Sequence, residues 1–190
     1  MLRRRFLLLG ALFASGPLFA ADADLWRRLQ AGGHVLLIRH AATHPGIGDP
    51  PGFKLADCGT QRNLSDQGKV DARAIGAAFA GRGIPLGPVW SSRWCRCLDT
   101  ARLAFGRVEA APMLDSMFRD DDAAGSAKVA QVLAKAGNYS GKDNLVLVTH
   151  DVNIRALVGE SVSQGEIVVA RPGKGRLEVL GRLRAHVAEN

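Results

Sequence analysis

The sequence predicts an α/β domain built as a three-layer sandwich, with a mostly parallel central sheet and helices on both faces. Two short apolar runs, Val35–Ile38 and Leu145–Val148, are typical of strands that are buried on both sides. Segments with helical spacing of apolar residues alternate with these strands, which favours parallel pairing through helical crossovers. The length of 190 residues suits one domain, which we assign to residues 21–190.

The first half of the chain predicts a strand, a long loop and a helix. Val35–Arg39 is expected to be a central strand. Residues 41–63 are rich in Pro, Gly and Asp, and a loop of this length in a compact domain is usually functional or disordered. Ser65 is a good N-cap for the helix that follows, which ends before Pro85. The apolar face of that helix consists of Ala74, Ile75, Ala78 and Phe79.

The middle of the chain predicts two short strands and two helices. Pro88–Ser91 is expected to be a strand that runs into a helix over 93–105, with Ser92 as the N-cap. Val108–Ala111 is a further short strand. A second helix over 126–136 follows from the spacing of its apolar residues.

The last third of the chain predicts a second central strand and a hairpin. Asn144–Thr149 repeats the apolar pattern of the first strand, and a short helix over 152–158 follows it. Ile167–Ala170 and Leu177–Leu183 are expected to pair antiparallel around a turn at Gly173-Lys174-Gly175.

The N-terminus has the pattern of an export signal. Arg3–Arg5 precede the apolar run Phe6–Phe19, and small residues follow. This order predicts a secretory signal peptide over residues 1–20, with cleavage after Ala20 or Ala23. A membrane anchor is disfavoured, because the run is shorter than the roughly 20 residues that span a bilayer and contains glycine and proline. We therefore expect an exported, periplasmic protein without stable membrane insertion after cleavage. The arginines also fit a loose twin-arginine pattern, which leaves the export route open.

The charge of the chain argues for a small anionic partner and against nucleic acid. The formal net charge is +7, and it falls to +4 when Arg3–Arg5 are removed with the signal peptide. No dense Lys/Arg block with interleaved aromatic residues is present, and the chain has one tyrosine, so a nucleic-acid groove is not expected. Local basic residues that face a small anionic substrate fit the composition better.

Three cysteines allow one disulfide in an exported chain. Cys95 and Cys97 are too close on a helix to pair with each other. Within the helix over 93–105, Cys97 borders the apolar stripe through its neighbour Ala101, whereas Cys95 lies on a charged face. We predict a Cys58–Cys95 disulfide and a buried Cys97.

Two histidines follow the two central strands directly. Arg39-His40 ends the first strand and Thr149-His150 ends the second. In parallel α/β sheets, ligands bind beyond the carboxyl ends of the strands, so both imidazoles are expected at one edge. A neutral imidazole can act as a nucleophile. Phosphoryl groups are the electrophiles that most need nearby cations, because several anionic oxygens must be held during transfer.

A third segment is expected at the same edge of the sheet. Ser91–Ala101 begins a helix that places Arg96 in its first full turn and Thr100 one turn later on the same face. A helix N-terminus favours anions. A guanidinium there can hold two phosphate oxygens at once.

These motifs together resemble the histidine phosphatase superfamily, which has the phosphoglycerate-mutase-like fold. The resemblance runs from Val35 to Gly159, with the motifs in the family's order. The motifs are Arg39-His40, the turn Leu64-Ser65-x-x-Gly68, Ser91-Ser92-x-x-x-Arg96-x-x-x-Thr100-Ala101, and a strand that ends on His150.

The resemblance implies a role for each matched residue. His40 would be the nucleophile that takes the phosphoryl group, and the family needs no metal and no cofactor. Arg39, Arg96 and His150 would surround the phosphate. Two positions depart from the family pattern. Ala41 stands where a glycine is usual, and Gly46 stands where the mutase branch has an asparagine, for which Thr43 could compensate. Arg62 could contact the rest of the substrate or be solvated.

Two carboxylates are candidates for the proton donor to the leaving group. The acid-phosphatase and phytase branch resembles His150-Asp151, where an Asp directly after the second His protonates the leaving oxygen. The mutase branch uses a Glu after the third strand, and Asp115 lies near that position. We favour Asp151, whose other possible role is to cap the helix that follows.

The sequence as a whole predicts an exported phosphomonoester hydrolase that forms a phosphohistidine on His40 and acts on a small phosphorylated substrate. The alternative is a domain of the same fold that binds phosphorylated or other anionic ligands with little or no turnover. A sugar-phosphate mutase is disfavoured because such enzymes serve cytoplasmic metabolism. The acidic triplet Asp120–Asp122 disfavours highly anionic substrates. The oligomeric state and the identity of the substrate do not follow from these residues.

Overall fold

A computed structural model describes residues 17–184 of the chain, with side chains from Asp22 onward. The first sixteen residues of the predicted signal peptide lie outside this range. Within it, no helix is long and apolar enough to cross a membrane.

The strands form one six-stranded sheet in the order β3-β2-β4-β1-β5-β6. The strands are β1 Val35–Arg39, β2 Leu86–Ser91, β3 Glu109–Ala110, β4 Asn144–Thr149, β5 Ile167–Gly173 and β6 Arg176–Leu183. Strands β1 to β4 run parallel, and β5 and β6 are added antiparallel at one edge. The predicted mostly parallel sheet is confirmed.

Five helices cover the two faces of the sheet. They are α1 Pro17–Ala31, α2 Asp66–Gly81, α3 Cys95–Phe105, α4 Asp122–Ala136 and α5 Asp151–Val158. Alternate side chains of β1 enter different cores: Leu36 and Ile38 pack with residues of α1, α2 and α3. Val35 and Leu37 pack with residues of α4 and α5. The three-layer sandwich is therefore confirmed, and the period-2 alternation of each buried strand supplies both cores.

Several boundaries differ from the predicted ones. Helix α3 begins at Cys95, and Trp94 occupies the N-cap position without a side-chain cap, so the prediction that Ser92 caps this helix is wrong. The reason is that the Ser92 hydroxyl lies against His150 instead. Helix α4 begins four residues earlier than predicted, because the Asp121 carboxylate caps it by accepting from Ala124 N–H.

The hairpin between β5 and β6 is tighter and longer than predicted. Its two turn residues, Lys174 and Gly175, both have positive φ, at 54° and 71°. This backbone matches the right-handed twist of paired strands. The two strands therefore pair over their full length, from Gly173 opposite Arg176 to Ile167 opposite Leu183.

Helix α1 was not anticipated by the sequence reading. It spans both predicted cleavage positions, and among its side chains described from Asp22 onward the first buried one is Leu25, which lies beyond Ala20 and Ala23. Leu25 and Leu29 pack into the core. Cleavage at either position would leave these core contacts intact, and the signal peptide itself stays a prediction.

The predicted cysteine pairing is present. Cys58 and Cys95 form a disulfide, and Cys97 is free and buried. The bond joins the long loop over 41–63 to the first residue of α3. The loop is thereby tied to the helix that carries Arg96.

Candidate active site

The carboxyl ends of β1, β2 and β4 meet at one edge of the sheet, and a cavity of about 920 Å³ opens there. Backbone hydrogen bonds continue the sheet beyond its strands: His40 N–H donates to Thr149 O over 3.0 Å, and Ser92 N–H donates to Val148 O over 3.0 Å. The residues after the three strands are thus held side by side.

His40 and His150 lie together at the base of this cavity. Their ring centroids are 5.5 Å apart in an edge-to-face arrangement. The His40 Nδ1 atom lies 2.9 Å from the Ala41 carbonyl oxygen. Because a carbonyl can only accept, Nδ1 carries the proton and Nε2 keeps its lone pair. His40 is therefore held in the tautomer that a nucleophile at Nε2 requires.

Both imidazoles are neutral at physiological pH. Burial lowers the pKa of His40 to about 3, and the nearby Arg96 and Arg39 add to this effect. Burial also lowers the pKa of His150 well below its usual value, helped by His40 and Arg96. Desolvation disfavours the charged form of a histidine, and adjacent cations act in the same direction.

Three guanidiniums line the cavity beside the histidines: Arg39, Arg62 and Arg96. The first two are anchored to carbonyls, because Arg39 Nη1 donates to Val162 O over 2.7 Å and Arg62 Nε donates to Gly48 O over 2.8 Å. The Nε atoms of Arg39 and Arg96 are buried without a hydrogen-bond partner. Unpaired buried donors are costly in proteins. A tetrahedral anion would supply the acceptors that these groups lack.

The family model of the histidine phosphatase superfamily (branch 1) matches residues 35–123, which contain His40 and all three of these arginines. The resemblance predicted from the sequence is confirmed by this match. No curated protein sequence matches it significantly.

Solved structures show the same fold. An α-ribazole phosphatase from Shigella flexneri is 19% identical, with a TM-score of 0.60 over 83% of this chain and 100% of that one. A phosphoserine phosphatase mutant from Entamoeba histolytica, in complex with phosphoserine, is 16% identical with a TM-score of 0.60 over 82% and 99%. The protein histidine phosphatase SixA, complexed with tungstate, is 14% identical with a TM-score of 0.58 over 80% and 97%. The phosphoglycerate-mutase-like fold is confirmed.

The Leu64–Gly68 turn supports the loop that follows His40, since Ser65 N–H donates to Ala42 O over 3.0 Å. A Cβ at Gly68 would lie 1.8 Å from the Ala42 carbonyl oxygen, so only glycine lets α2 approach that closely. Ala41 packs against Leu64 and Ala72 in a small apolar cluster and does not line the cavity. Its methyl group therefore leaves the anion site open despite the departure from the family pattern.

Thr100 holds the end of β1 against α3. Its hydroxyl accepts from Ala41 N–H over 3.0 Å and donates to Arg96 O over 2.7 Å. Thr100 thus binds the backbone N–H next to His40 and does not line the cavity. The sequence predicted that it lies with Arg96 on the side of the helix that faces the anion.

Thr43 and Arg62, both expected near the substrate, lie together. The Thr43 hydroxyl accepts from Arg62 Nη1 over 2.5 Å and from Gln164 Nε2 over 3.1 Å. Arg62 and Gln164 line the cavity, and so does Gly46, whose φ of +130° suits glycine. Burial lowers the pKa of Arg62, and the charges of Arg96 and Arg39 contribute to the decrease.

Asp49 is a functional residue that the sequence reading missed. Its carboxylate accepts from Arg96 Nη1 over 2.7 Å, from Trp94 Nε1 over 2.9 Å and from Arg62 N–H over 3.0 Å. Burial would raise the pKa of Asp49, but these hydrogen bonds outweigh it and hold the pKa below its usual value. Asp49 lies in the long loop, outside every motif, so its contact with Arg96 had no signal in the sequence.

The long loop also caps helix α3. Gln61, which is buried, accepts at Oε1 from Cys95 N–H over 3.0 Å. The disulfide between Cys58 and Cys95 fastens the same two segments covalently. Asp49 is therefore brought to Arg96 by a loop that is anchored at the start of α3, the helix that carries Arg96.

The two candidate acids both line the cavity but have different partners. Asp115 is 3% exposed and accepts three donors from Arg93: the backbone N–H at 2.8 Å, Nε at 2.8 Å and Nη2 at 2.5 Å. Asp151 accepts from Val162 N–H over 2.8 Å. Asp151 is the first residue of α5, and His150 is its N-cap, so Asp151 does not cap the helix.

Ser92 connects the second histidine to one of these acids. Its hydroxyl lies 2.9 Å from His150 Nε2 and 3.5 Å from Asp115 Oδ1. The buried Cys97 Sγ lies 3.5 Å from the same His150 nitrogen. Burial raises the pKa of the Cys97 thiol to about 12, so it stays protonated.

The acidic triplet contributes little free charge to the cavity. Of the three residues, Asp120 lines it, and Lys128 Nζ pairs with its carboxylate at 2.6 Å. Asp121 caps α4. Across residues 17–184, no group of three or more His, Cys, Asp or Glu side chains is arranged to hold a metal ion.

Replacing Asp49 should destabilise the fold far more than replacing an exposed partner of the same type. Asp49→Ala leaves the Arg96 guanidinium buried without its counter-charge, so we expect the free energy of unfolding to fall by about 3–5 kcal/mol. Asp99→Ala, which breaks the exposed Asp99–Arg102 pair, is the matched control and should cost about 1 kcal/mol or less. Urea denaturation measures both. Equal losses would contradict a buried ion pair at Asp49.

Acid should destabilise the fold through its buried histidines. The unfolded chain binds a proton at His40 near its ordinary pKa of 6.5, but the native state does so at about 3. As pH falls through this interval, each such histidine costs up to about 1.4 kcal/mol of unfolding free energy per pH unit. His40→Gln should show a shallower loss between pH 6.5 and 4. The exposed His44→Gln should keep the wild-type slope, and an unchanged slope in His40→Gln would refute the assignment.

Proposed function

We propose that this chain is a phosphomonoester hydrolase that forms a phosphohistidine on His40 and, like the family it resembles, needs no metal. The observation that supports this most is the neutral His40, with Nε2 available, beside three guanidiniums. Two structures of the same fold were solved with phosphoserine and with tungstate, and such ligands agree with the proposal of a site for a tetrahedral anion.

The proposed reaction has two steps. In the first, His40 Nε2 attacks phosphorus as the ester P–O bond breaks, and the leaving oxygen receives a proton. In the second, water attacks phosphorus as the P–N bond breaks, the carboxylate that lost its proton in the first step takes one from this water, and inorganic phosphate and neutral His40 are released. Arg39, Arg62 and Arg96 stabilise the charge on the equatorial oxygens in both transition states. His150 donates a further hydrogen bond from its buried ring.

Asp151 remains our choice for the proton donor. Asp115 accepts three N–H groups from Arg93, so both of its carboxylate oxygens are already occupied by donors of one neighbouring residue. In the described part of the chain, the carboxylate of Asp151 accepts one hydrogen bond, from Val162 N–H. Asp151 also follows His150 directly and lines the cavity.

Export is part of the proposal. The signal-like residues 1–20 support it, and so does the Cys58–Cys95 disulfide, because disulfides persist in oxidising compartments such as the periplasm. The protein would therefore meet phosphorylated substrates outside the cytoplasm.

A second candidate function is anion binding without turnover. The observation that favours it is that Arg96 is already paired with Asp49. Both candidate acids are also held by other groups, Asp115 by Arg93 and Asp151 by Val162. A domain of this kind would bind phosphate esters and release them unchanged.

Phosphate release from an aryl phosphate separates the two functions. The wild type should release phosphate without added metal, and His40→Ala should lose at least about 10³-fold in kcat/KM because it removes the nucleophile. A rapid alkaline quench with labelled substrate should trap a phosphoryl adduct on wild type that is stable in base and lost on acid treatment, as expected of a P–N bond. The exposed His44→Ala should behave like wild type. If wild type is no faster than His40→Ala, the hydrolase proposal fails.

The proton donor can be identified from how the loss of kcat in a carboxylate variant depends on the leaving group of the substrate. Alkyl alcohols need a proton more than phenols do, so Asp151→Asn should lower kcat on an alkyl phosphate about 10²-fold or more and on an aryl phosphate far less. Asp115→Asn should affect both substrates to a similar extent. The reverse pattern would assign the proton to Asp115. Equal losses in Asp151→Asn would show that Asp151 positions the loop at Val162 instead.

A further inference from the structure

The cavity extends well beyond the reaction centre. Its volume of about 920 Å³ is at the upper end for small-molecule sites. The histidines and the three guanidiniums occupy its base, and the remaining wall carries aromatic and cationic side chains together with acidic and aliphatic ones. The outer part of the cavity is therefore available to the leaving group of a substrate.

One wall carries a row of flat side chains that starts at the second histidine, and neighbouring ring planes are inclined by 81° between His150 and Trp94 and by 41° between Trp94 and Phe53. The Trp94 ring lies 5.6 Å from His150, and the Phe53 ring lies 5.8 Å from Trp94, both measured between centroids. The Arg119 guanidinium carbon then lies 5.3 Å from the Phe53 centroid. We call His150, Trp94, Phe53 and Arg119 the flat row. Its members follow one another from the reaction centre towards the opening.

Two contacts hold the two middle members of the flat row, Trp94 and Phe53. The Trp94 indole donates to Asp49 Oδ2 over 2.9 Å, which fixes the plane of the ring. Phe53 N–H donates to Pro50 O over 3.2 Å within the disulfide-tied loop. A ligand ring would therefore meet a wall that is already ordered, which reduces the entropic cost of binding.

Arg119 gives the outer end of the flat row an unmatched positive charge. Two other cations on the cavity wall are paired, Arg93 with Asp115 and Lys128 with Asp120. Among residues 17–184, no carboxylate forms an ion pair with Arg119, whose guanidinium lies over Phe53. Guanidiniums stack on aromatic faces, and a flat ring has electron-rich faces that a cation attracts.

We propose that the flat row binds an aromatic ring in the leaving group, so that the preferred substrates are phosphomonoesters of alcohols that carry such a ring. Aromatic pairs gain about 0.5–1.5 kcal/mol beyond the area that they bury, which corresponds to a preference of about two- to tenfold over an alkyl chain. This inference rests on the proposed function for its catalytic meaning, but binding tests it independently.

The test compares ligands that share the chemistry of their alcohol. 2-Phenylethyl phosphate, 2-cyclohexylethyl phosphate and n-octyl phosphate are all esters of primary alcohols, so proton demand does not distinguish them. Binding to His40→Ala is measured by calorimetry, because that variant should hold the esters without turnover. We expect the phenyl ligand to bind about two- to tenfold more tightly than either of the others.

Two variants and one control locate the preference. Phe53→Leu keeps an apolar side chain but removes the flat face, and Arg119→Gln removes the cation; each should reduce the phenyl preference towards unity. Phe118→Leu, which changes another phenylalanine of the same cavity, should leave the ratio of affinities unchanged. Equal binding of all three ligands, or a preference that survives Phe53→Leu, would overturn the proposal. A cyclohexyl ligand that binds as well as the phenyl ligand would overturn the aromatic assignment.

Failure of the proposed function is a different result. If wild type releases no phosphate from any of the three esters but the phenyl preference depends on Phe53, the flat row stands and hydrolysis does not. If all three esters are hydrolysed with the same KM, hydrolysis stands and the flat row fails.

Discussion

The parallel pairing of β1 with β4 is the constraint on which the site depends. Arg39 lies opposite Thr149 in register, and the next hydrogen bond, from His40 N–H to Thr149 O, carries the pairing past the strands. A shift of one residue would turn one of the imidazoles to the opposite face of the sheet. The register is held by alternating apolar residues that enter two separate cores, so burial and catalytic geometry are set by the same contacts.

Concentrated positive charge is the main energetic cost of this arrangement. Three guanidiniums approach two neutral imidazoles in a partly closed cavity, and like charges at short range repel more strongly away from bulk water. Asp49 offsets part of that repulsion by pairing with Arg96 at 4% and 7% side-chain exposure. Among the described residues that line the cavity, six Arg and Lys side chains face four Asp side chains, so an excess of positive charge remains. A dianionic phosphate ester, the ligand class of the proposed function, would balance this excess.

The parts of this structure that could be predicted from the sequence are those with a local signal. Short apolar runs identified β1 and β4, and the abrupt change to Arg39-His40 and Thr149-His150 identified their exits. The positions of Cys95 and Cys97 on different faces of the predicted helix also led to the correct Cys58–Cys95 disulfide. Helix α1 was missed because its first residues read as the end of an export signal. Asp49, Gln61 and Ser92 were missed as site residues because their partners lie 34 to 58 residues away in the chain. The spacing of apolar residues along a helix or strand carries no information on contacts between residues so far apart in the chain.

Helix α2 imposes a requirement that reaches beyond the cavity. At Gly68 it touches the backbone of Ala42, and at Gly76 a Cβ would lie 2.0 Å from the carbonyl oxygen of Ala104 in α3. The helix is therefore wedged without clearance between the segment after the nucleophile and the segment that carries Arg96. At these two positions any side chain would collide with the neighbouring backbone. The distance between the main chains, and not the polarity or charge of the new residue, therefore decides which substitutions are tolerated. Homologous sequences that lack either glycine would have to seat this helix elsewhere, and their two halves of the phosphate pocket would sit at a different spacing.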